Sequence, residues 1–141
     1  MRLWDVNLWV YAFRSDAPRH HKVRTLLEES LVRQEPFIFT PHVAASFLRL
    51  VTNSRIFNEP SSLEEAWNFI DYLKNHRSSI PLEMDDMGFG IFKHLNLTST
   101  AVGNRIPDVF LAALALRHDA RLITADRGFL SYAGLRTELV E

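Results

Sequence analysis

Short apolar runs alternate with helical stretches along the whole chain, and nothing between them has the Asn-Gly form of a hairpin turn. That alternation constrains the fold more than any other feature. Antiparallel strands can be joined by a two-residue turn, whereas parallel strands need a crossover long enough to hold a helix. The runs are Leu3–Val6, Phe37–Phe39, Ser79–Leu82 and Arg121–Thr124, with a further one inside Leu135–Val140. Strands covered by helices on both faces read this way. The expected architecture is α/β, with a central, mostly parallel sheet in a three-layer α/β/α fold. Pro81 puts Ser79–Leu82 at a sheet edge, where a missing backbone N–H is tolerated.

The helices follow from their spacing and caps. Leu8–Phe13 reads as a short helix after a turn at Asn7. Pro18 starts a helix to about Arg33, with Val23, Leu26, Leu27 and Leu31 at helical spacing. Thr40-Pro41 is an N-cap followed by proline at the first helical position, opening a helix to Val51. Ser61 or Ser62 caps the helix carrying Trp67, Ile70 and Leu73, with Glu64 and Glu65 at its positive end. Asp85–Leu95 is helical, Thr98–Gly103 is a polar loop, and Asn104 caps a helix over Arg105–His118.

At 141 residues and 47% hydrophobic, the chain is expected to form a single domain over 1–141 with a sizeable core. It has no cysteine, hence no disulfide and no thiolate metal site. No apolar run nears the ~18 residues of a spanning helix, and Met1–Asp5 is too short an apolar run for a signal peptide. A cytoplasmic location is the expectation. The formal net charge is −1, so bulk charge does not hold nucleic acid here. Any such contact rests on a local patch or on metal ions.

In open parallel sheets, ligands bind beyond the carboxyl ends of the strands. Asp5 lies at that end of the first strand, and Asp126 follows Arg121–Thr124 by two residues. Both are expected at the same sheet edge. Asp108 lies about one turn into its helix, four residues after Asn104, so the two side chains share a face. The rest of that helix is apolar nearly all round, and no lysine lies in it. A carboxylate there needs a partner, because an unpaired buried charge is costly. A divalent cation is a good one. Hard oxygen ligands point to Mg²⁺, or Mn²⁺, rather than zinc, for which the histidines are too scattered. Taken singly, Asp5 and Asp126 are also turn formers and Asp108 a dipole-favoured helix carboxylate. Together on one edge they favour a metal site.

Four strings in order, Leu3-Trp4-Asp5-Val6-Asn7, Phe47-Leu48-Arg49-Leu50-Val51-Thr52, Pro107–Ala115 and Thr124-Ala125-Asp126-Arg127-Gly128-Phe129, cover nearly the whole chain. Their order and spacing resemble the PIN-domain ribonucleases, and more narrowly the VapC toxins of bacterial toxin–antitoxin pairs. The resemblance implies metal ligation by Asp5 and Asp108, with Asp126 completing the acidic pocket. It implies that Asn7 orients Asp5, and that Thr124 lies near the scissile phosphate; a strand-end hydroxyl serving local backbone is the alternative for Thr124. It also implies hydrolysis of RNA to a 5′-phosphate and a 3′-hydroxyl, a homodimer, and a VapB-like antitoxin with a basic side chain for the acidic pocket. Two positions depart from the family pattern. Ser46 stands where a glutamate is common, and Gly128 where a further acid often follows. Fewer acids imply a loosely held Mg²⁺ that keeps several waters.

On the RNA side, Arg49 and Arg127 are candidates to touch phosphate or to pair with acids. Arg14, Arg19, His20, His21, Lys22 and Arg24 form a basic cluster that either tracks phosphates or is a solvated helix face. Leu8, Trp9, Tyr11 and Phe13, with Trp67 and Phe69, supply more apolar surface than one small core needs, which favours a homodimer. A haloacid-dehalogenase-like phosphatase is a rival reading, but its Asp-x-Asp is Asp5-Val6-Asn7 here. A catalytically silent antitoxin-binding module is the other, supported by Ser46 and Gly128.

Overall fold

The computed structural model describes residues 1–141. In chain order its elements are β1 (Arg2–Trp4), α1 (Val6–Phe13), α2 (His20–Val32), β2 (Phe37–Phe39), α3 (Pro41–Val51) and α4 (Leu63–Lys74). They continue with β3 (Ser79–Pro81), α5 (Asp86–Ser99), a 3-10 turn (Gly103–Arg105), α6 (Ile106–Arg117), β4 (Arg121–Thr124), a second 3-10 turn (Arg127–Ser131) and β5 (Thr137–Leu139). The strand order is β3-β2-β1-β4-β5, with Pro81 on an edge strand as its chemistry requires. The pairs β1–β4, β4–β5 and β2–β3 are all parallel. No helix is long and apolar enough to cross a membrane.

The chain divides into two compact units, Met1–Asp5 with Glu83–Glu141, and Val6–Leu82. In the first, Leu3 and Trp4 of β1 lie in register with Leu122 and Ile123 of β4, and all four are buried. α6 packs against α5. Val109, Ala112, Ala113 and Leu114 of α6 have no exposed surface, as its nearly all-round apolar sequence anticipates. The fork of Arg117 near the end of α6 grips Asp85, with Nε 2.9 Å from both carboxylate oxygens and Nη2 2.7 Å from Oδ2. Asp85 is also the N-cap of α5, accepting from the Gly88 N–H at 2.8 Å.

The Arg117 guanidinium, helped by the Gly88 N–H, holds the Asp85 carboxyl down to about 2. Because the folded value lies below the unfolded one, near ~3.9, the stabilisation is fully present above that range and is lost as pH falls toward 2. Asp85→Asn keeps a capping oxygen and removes only the ion pair. It should therefore melt below wild type at pH 7, with the gap closing as both are taken toward pH 2. A gap independent of pH, by circular dichroism, would assign the loss to the cap instead.

In the second unit, Thr40 caps α3 by accepting from the His42 N–H at 3.3 Å, and Ser62 caps α4 by accepting from the Glu65 N–H at 3.1 Å. An aromatic cluster forms its core. Trp9 lies 5.8 Å from Phe39, 6.0 Å from Phe47 and 6.3 Å from Phe69 between ring centres. Phe13 lies 5.3 Å from Phe47 and 5.2 Å from Phe69. Part of the apolar surplus expected from the sequence goes into this packing: Leu8 and Trp9 are buried, while Phe13 and Phe69 join the cluster half-buried. Leu63, Trp67 and Tyr72 of α4 remain exposed.

Several boundaries also differ. The first strand stops at Trp4 and α1 begins at Val6, so the expected turn at Asn7 is helix. α2 starts at His20 rather than Pro18, after Arg19 adopts φ 59°. α5 runs on to Ser99, shortening the polar loop. Asn104 does not cap α6; it lies in the 3-10 turn, which runs straight into the helix, and no side chain caps that end. Pro107 in the first turn has no N–H to satisfy, so the end needs fewer partners.

Candidate active site

Asp5 follows β1 directly, and its backbone N–H extends the ladder to the Ile123 carbonyl at 2.9 Å. That pairing fixes the carboxylate beside the end of β4. Asp5 is only 3% exposed. Its Oδ2 accepts the Thr124 hydroxyl at 2.7 Å. Thr124 is fully buried, and its Oγ1 in turn accepts the Asp126 backbone N–H at 3.0 Å. One hydroxyl thus ties Asp5 to the segment that carries Asp126. Asp126 caps the second 3-10 turn, its Oδ1 accepting from the Gly128 N–H at 2.7 Å. The turn-forming role and the acidic-site role therefore fall on the same residue.

Asp108 occupies the first turn of α6, half-buried. Burial pushes its carboxyl up, the negative charge of Asp126 pushes it further, and Arg105 opposes them. Two carboxylates within reach of each other's charge, one partly desolvated, make a place where a cation is favoured. Tyr132 lies beside them, 6% exposed. Its phenol is raised by burial and by the charge of Asp108, and lowered by the charge of Arg105. Tyr132 additionally walls an open groove of about 750 Å³, with Ile91, His94 and Leu116, that none of the three acids lines.

The donor set fits Mg²⁺ in kind: carboxylate oxygens and no thiolate. It does not form a closed cage, since no three His, Asp or Glu side chains come together closely enough to ligate one ion. Hard ions that keep water in their shell suit such a site, and zinc does not.

The first unit brings together Asp5, Thr124, Asp126 and Asp108. Asn7 stands exposed in the first turn of α1, and the hydroxyl on Asp5 is that of Thr124. Asn104 is exposed in its 3-10 turn. Arg127 pairs with Glu141 at 3.0 Å, both side chains about three-quarters exposed. Arg49 is exposed in the last turn of α3, on the second unit. Ser46 is also on α3. A Cβ at Gly128 would lie 3.0 Å from the Asp126 Oδ1. Two residues of the basic cluster after α1 are committed to partners within the unit. Arg14 forks onto Asp16, reaches the Glu59 carbonyl and the Ser61 hydroxyl, and sits 4.1 Å from the centre of the Phe57 ring. Arg24 pairs with Glu28. Sequence reasoning missed Arg105 and Tyr132. The i, i+3 spacing from Arg105 to Asp108 was a signal for the first; Tyr132 had none.

The PIN domain family model matches residues 3–135, across both units. The chain is 39% identical over 132 residues to the VapC ribonuclease Mb2897 of Mycobacterium bovis, covering 94% of this chain and 90% of that one. It is 35% identical over 136 residues to ribonuclease VapC31 of Mycobacterium tuberculosis, covering 96% of each. Among solved structures it resembles VapBC2 from Rickettsia felis bound to a promoter DNA fragment, with TM-score 0.75 at 16% identity, over 99% of this chain and 98% of that one. It also resembles Mycobacterium tuberculosis VapC20, described as a Sarcin-Ricin loop cleaving toxin, with TM-score 0.69 at 12% identity, over 96% and 99% of the two chains. At those identities the structural likeness speaks to the fold, the PIN-like three-layer α/β/α arrangement expected from the sequence. The family match and the close sequence relatives go further: the chain belongs to the PIN-domain family, in its VapC branch.

Proposed function

We propose that the chain is a Mg²⁺-dependent endoribonuclease, the toxin of a toxin–antitoxin pair, hydrolysing RNA phosphodiester bonds to a 5′-phosphate and a 3′-hydroxyl. The observation that carries this reading is the continuity from Asp5 through the Thr124 hydroxyl to Asp126, with Asp108 in reach of the Asp126 charge. When bound, Mg²⁺, or Mn²⁺, supplies Lewis-acid charge for a phosphodiester and makes water a nucleophile near neutral pH. Asp5 and Asp108 would hold it directly, with Asp126 completing the set. Thr124 fixes the Asp5 carboxylate, and the β1–β4 ladder holds both. The Gly128 N–H fixes one oxygen of Asp126 and so orients the carboxylate that would complete the set. No step requires a covalent enzyme intermediate.

A VapB-like antitoxin and a homodimer are proposed as partners. The VapBC structures among the fold's neighbours support the first. The exposed Leu63, Trp67 and Tyr72 of α4 support an interface. One observation favours the rival, an antitoxin-binding module without activity: no three acidic or histidine side chains converge on one ion position.

The test is metal removal. Purified protein, eluting at twice the chain mass, should cut a structured RNA in millimolar Mg²⁺ or Mn²⁺. It should stop in excess chelator and resume on re-addition, with melting temperature rising as Mg²⁺ is added. Cutting that persists in chelator would remove the metal from the mechanism; no cutting with any divalent ion would leave the binding module.

A further inference from the structure

Every other arginine of the first unit is already ion-paired. Arg2 and Arg121 each lie 3.7 Å from Glu138, Arg117 2.7 Å from Asp85, Arg127 3.0 Å from Glu141 and Arg136 3.0 Å from Asp119. Arg105 is the exception: no carboxylate lies within 4.0 Å of it. Yet it ends the 3-10 turn at the mouth of the site, exposed, three residues before Asp108. The turn is pinned by Gly103 at φ 59° and by the Arg105 N–H on the Val102 carbonyl at 3.2 Å.

The side chain of Arg105 is felt by its neighbours through charge: the guanidinium lowers both the buried Tyr132 phenol and the Asp108 carboxyl. A guanidinium has five N–H donors, and the fork is left for something else. An arginine kept only to balance the acids would sit on one of them. This one stays off the carboxylates while close enough for Asp108 to feel its charge. RNA entering a pocket of three acids meets repulsion, and a chain of net charge −1 offers no bulk attraction to offset it. A planar fork at the lip matches the phosphodiester, which it can take with two parallel hydrogen bonds.

We infer that Arg105 grips a backbone phosphate of the bound RNA at the lip of the acidic pocket. The inference rests on the ribonuclease reading above and adds the residue that seats the substrate.

The experiment reads binding and cleavage separately. Binding of a fluorescein-labelled RNA hairpin to the Asp5→Asn protein is followed by anisotropy from low to high salt. Adding Arg105→Ala should weaken binding roughly tenfold, as loss of a charge-assisted contact does. It should also flatten the slope of log affinity against log salt by about 0.7, the share of one phosphate on a single strand. Arg105→Gln should do the same, and serves should the alanine variant fold poorly. Arg105→Lys should keep the slope and recover part of the affinity. In the otherwise wild-type chain, Arg105→Gln should raise KM about tenfold and change kcat far less. Unchanged affinity and slope in the alanine and glutamine variants overturn the inference. So does a changed Mg²⁺ response with an unchanged slope, because Arg105 then only balances the acids. Failure of the wild-type chain to cut any RNA is a different result, and overturns the ribonuclease reading itself.

Discussion

Asparagine at position 5 or 108 lowers RNA cleavage at saturating Mg²⁺ by at least ~100-fold, since even outer-shell residues of metal sites cost 10–100-fold when lost. The two variants are also expected to differ from each other. Asp5 is buried and accepts a hydroxyl, so Asp5→Asn leaves its amide group to find partners where an anion was held. It should melt somewhat below wild type. Asp108 faces the charge of Asp126, and burial works against its ionised form. Removing that charge relieves repulsion, so Asp108→Asn should melt no lower than wild type in metal-free buffer. It should also lose most of the Mg²⁺-induced rise in melting temperature. Cleavage by either variant within threefold of wild type would sink the assignment. An Asp108→Asn protein that melts well below wild type without metal would mean that the carboxylate is structural.

Phe47→Ala should be the most damaging single truncation in the second unit, by about 3–5 kcal/mol. Phe47 has no exposed surface and meets Trp9, Phe13 and Phe69, so its loss strips three rings of a shared neighbour. Domains of this size are stable by only ~5–15 kcal/mol, so the loss takes a large share of the total. Urea unfolding reads it directly. Phe47→Leu should recover more than half, since most of the volume returns. A cost below ~1 kcal/mol for the alanine would mean that the aromatic cluster closes over the gap.

The neighbourhood of Asp5 and Asp126 is legible because both follow strands of a parallel sheet, and β1 and β4 are neighbours in register. The family pattern puts Thr124 near a phosphate; in the structure its hydroxyl serves Asp5 and the Asp126 backbone N–H. Thr40 and Ser62 were readable because a capping oxygen acts within three residues. What could not be read depends on partners distant in the chain. Arg14 belonged to a basic run in sequence, but its partner Ser61 is 47 positions away. The apolar residues of α1 are readable in character but not in partner, because nothing local tells Trp9 that Phe39 and Phe69 await it. Asn104 failed for the opposite reason: a strong capping residue was overridden by a tighter turn and a proline just downstream. Tyr132 had no local signature, since its place beside Asp108 depends on how the second 3-10 turn is seated.

Gly128 couples any change at its position to Asp126. Its N–H holds one oxygen of Asp126, and a Cβ there would meet that same oxygen at 3.0 Å. A side chain at 128 therefore asks the Asp126 carboxylate to give by a few tenths of an ångström, a shift that the end of a side chain can make. An acid gained by substitution there would stand beside Asp126 and re-aim it, so the two positions change the site together.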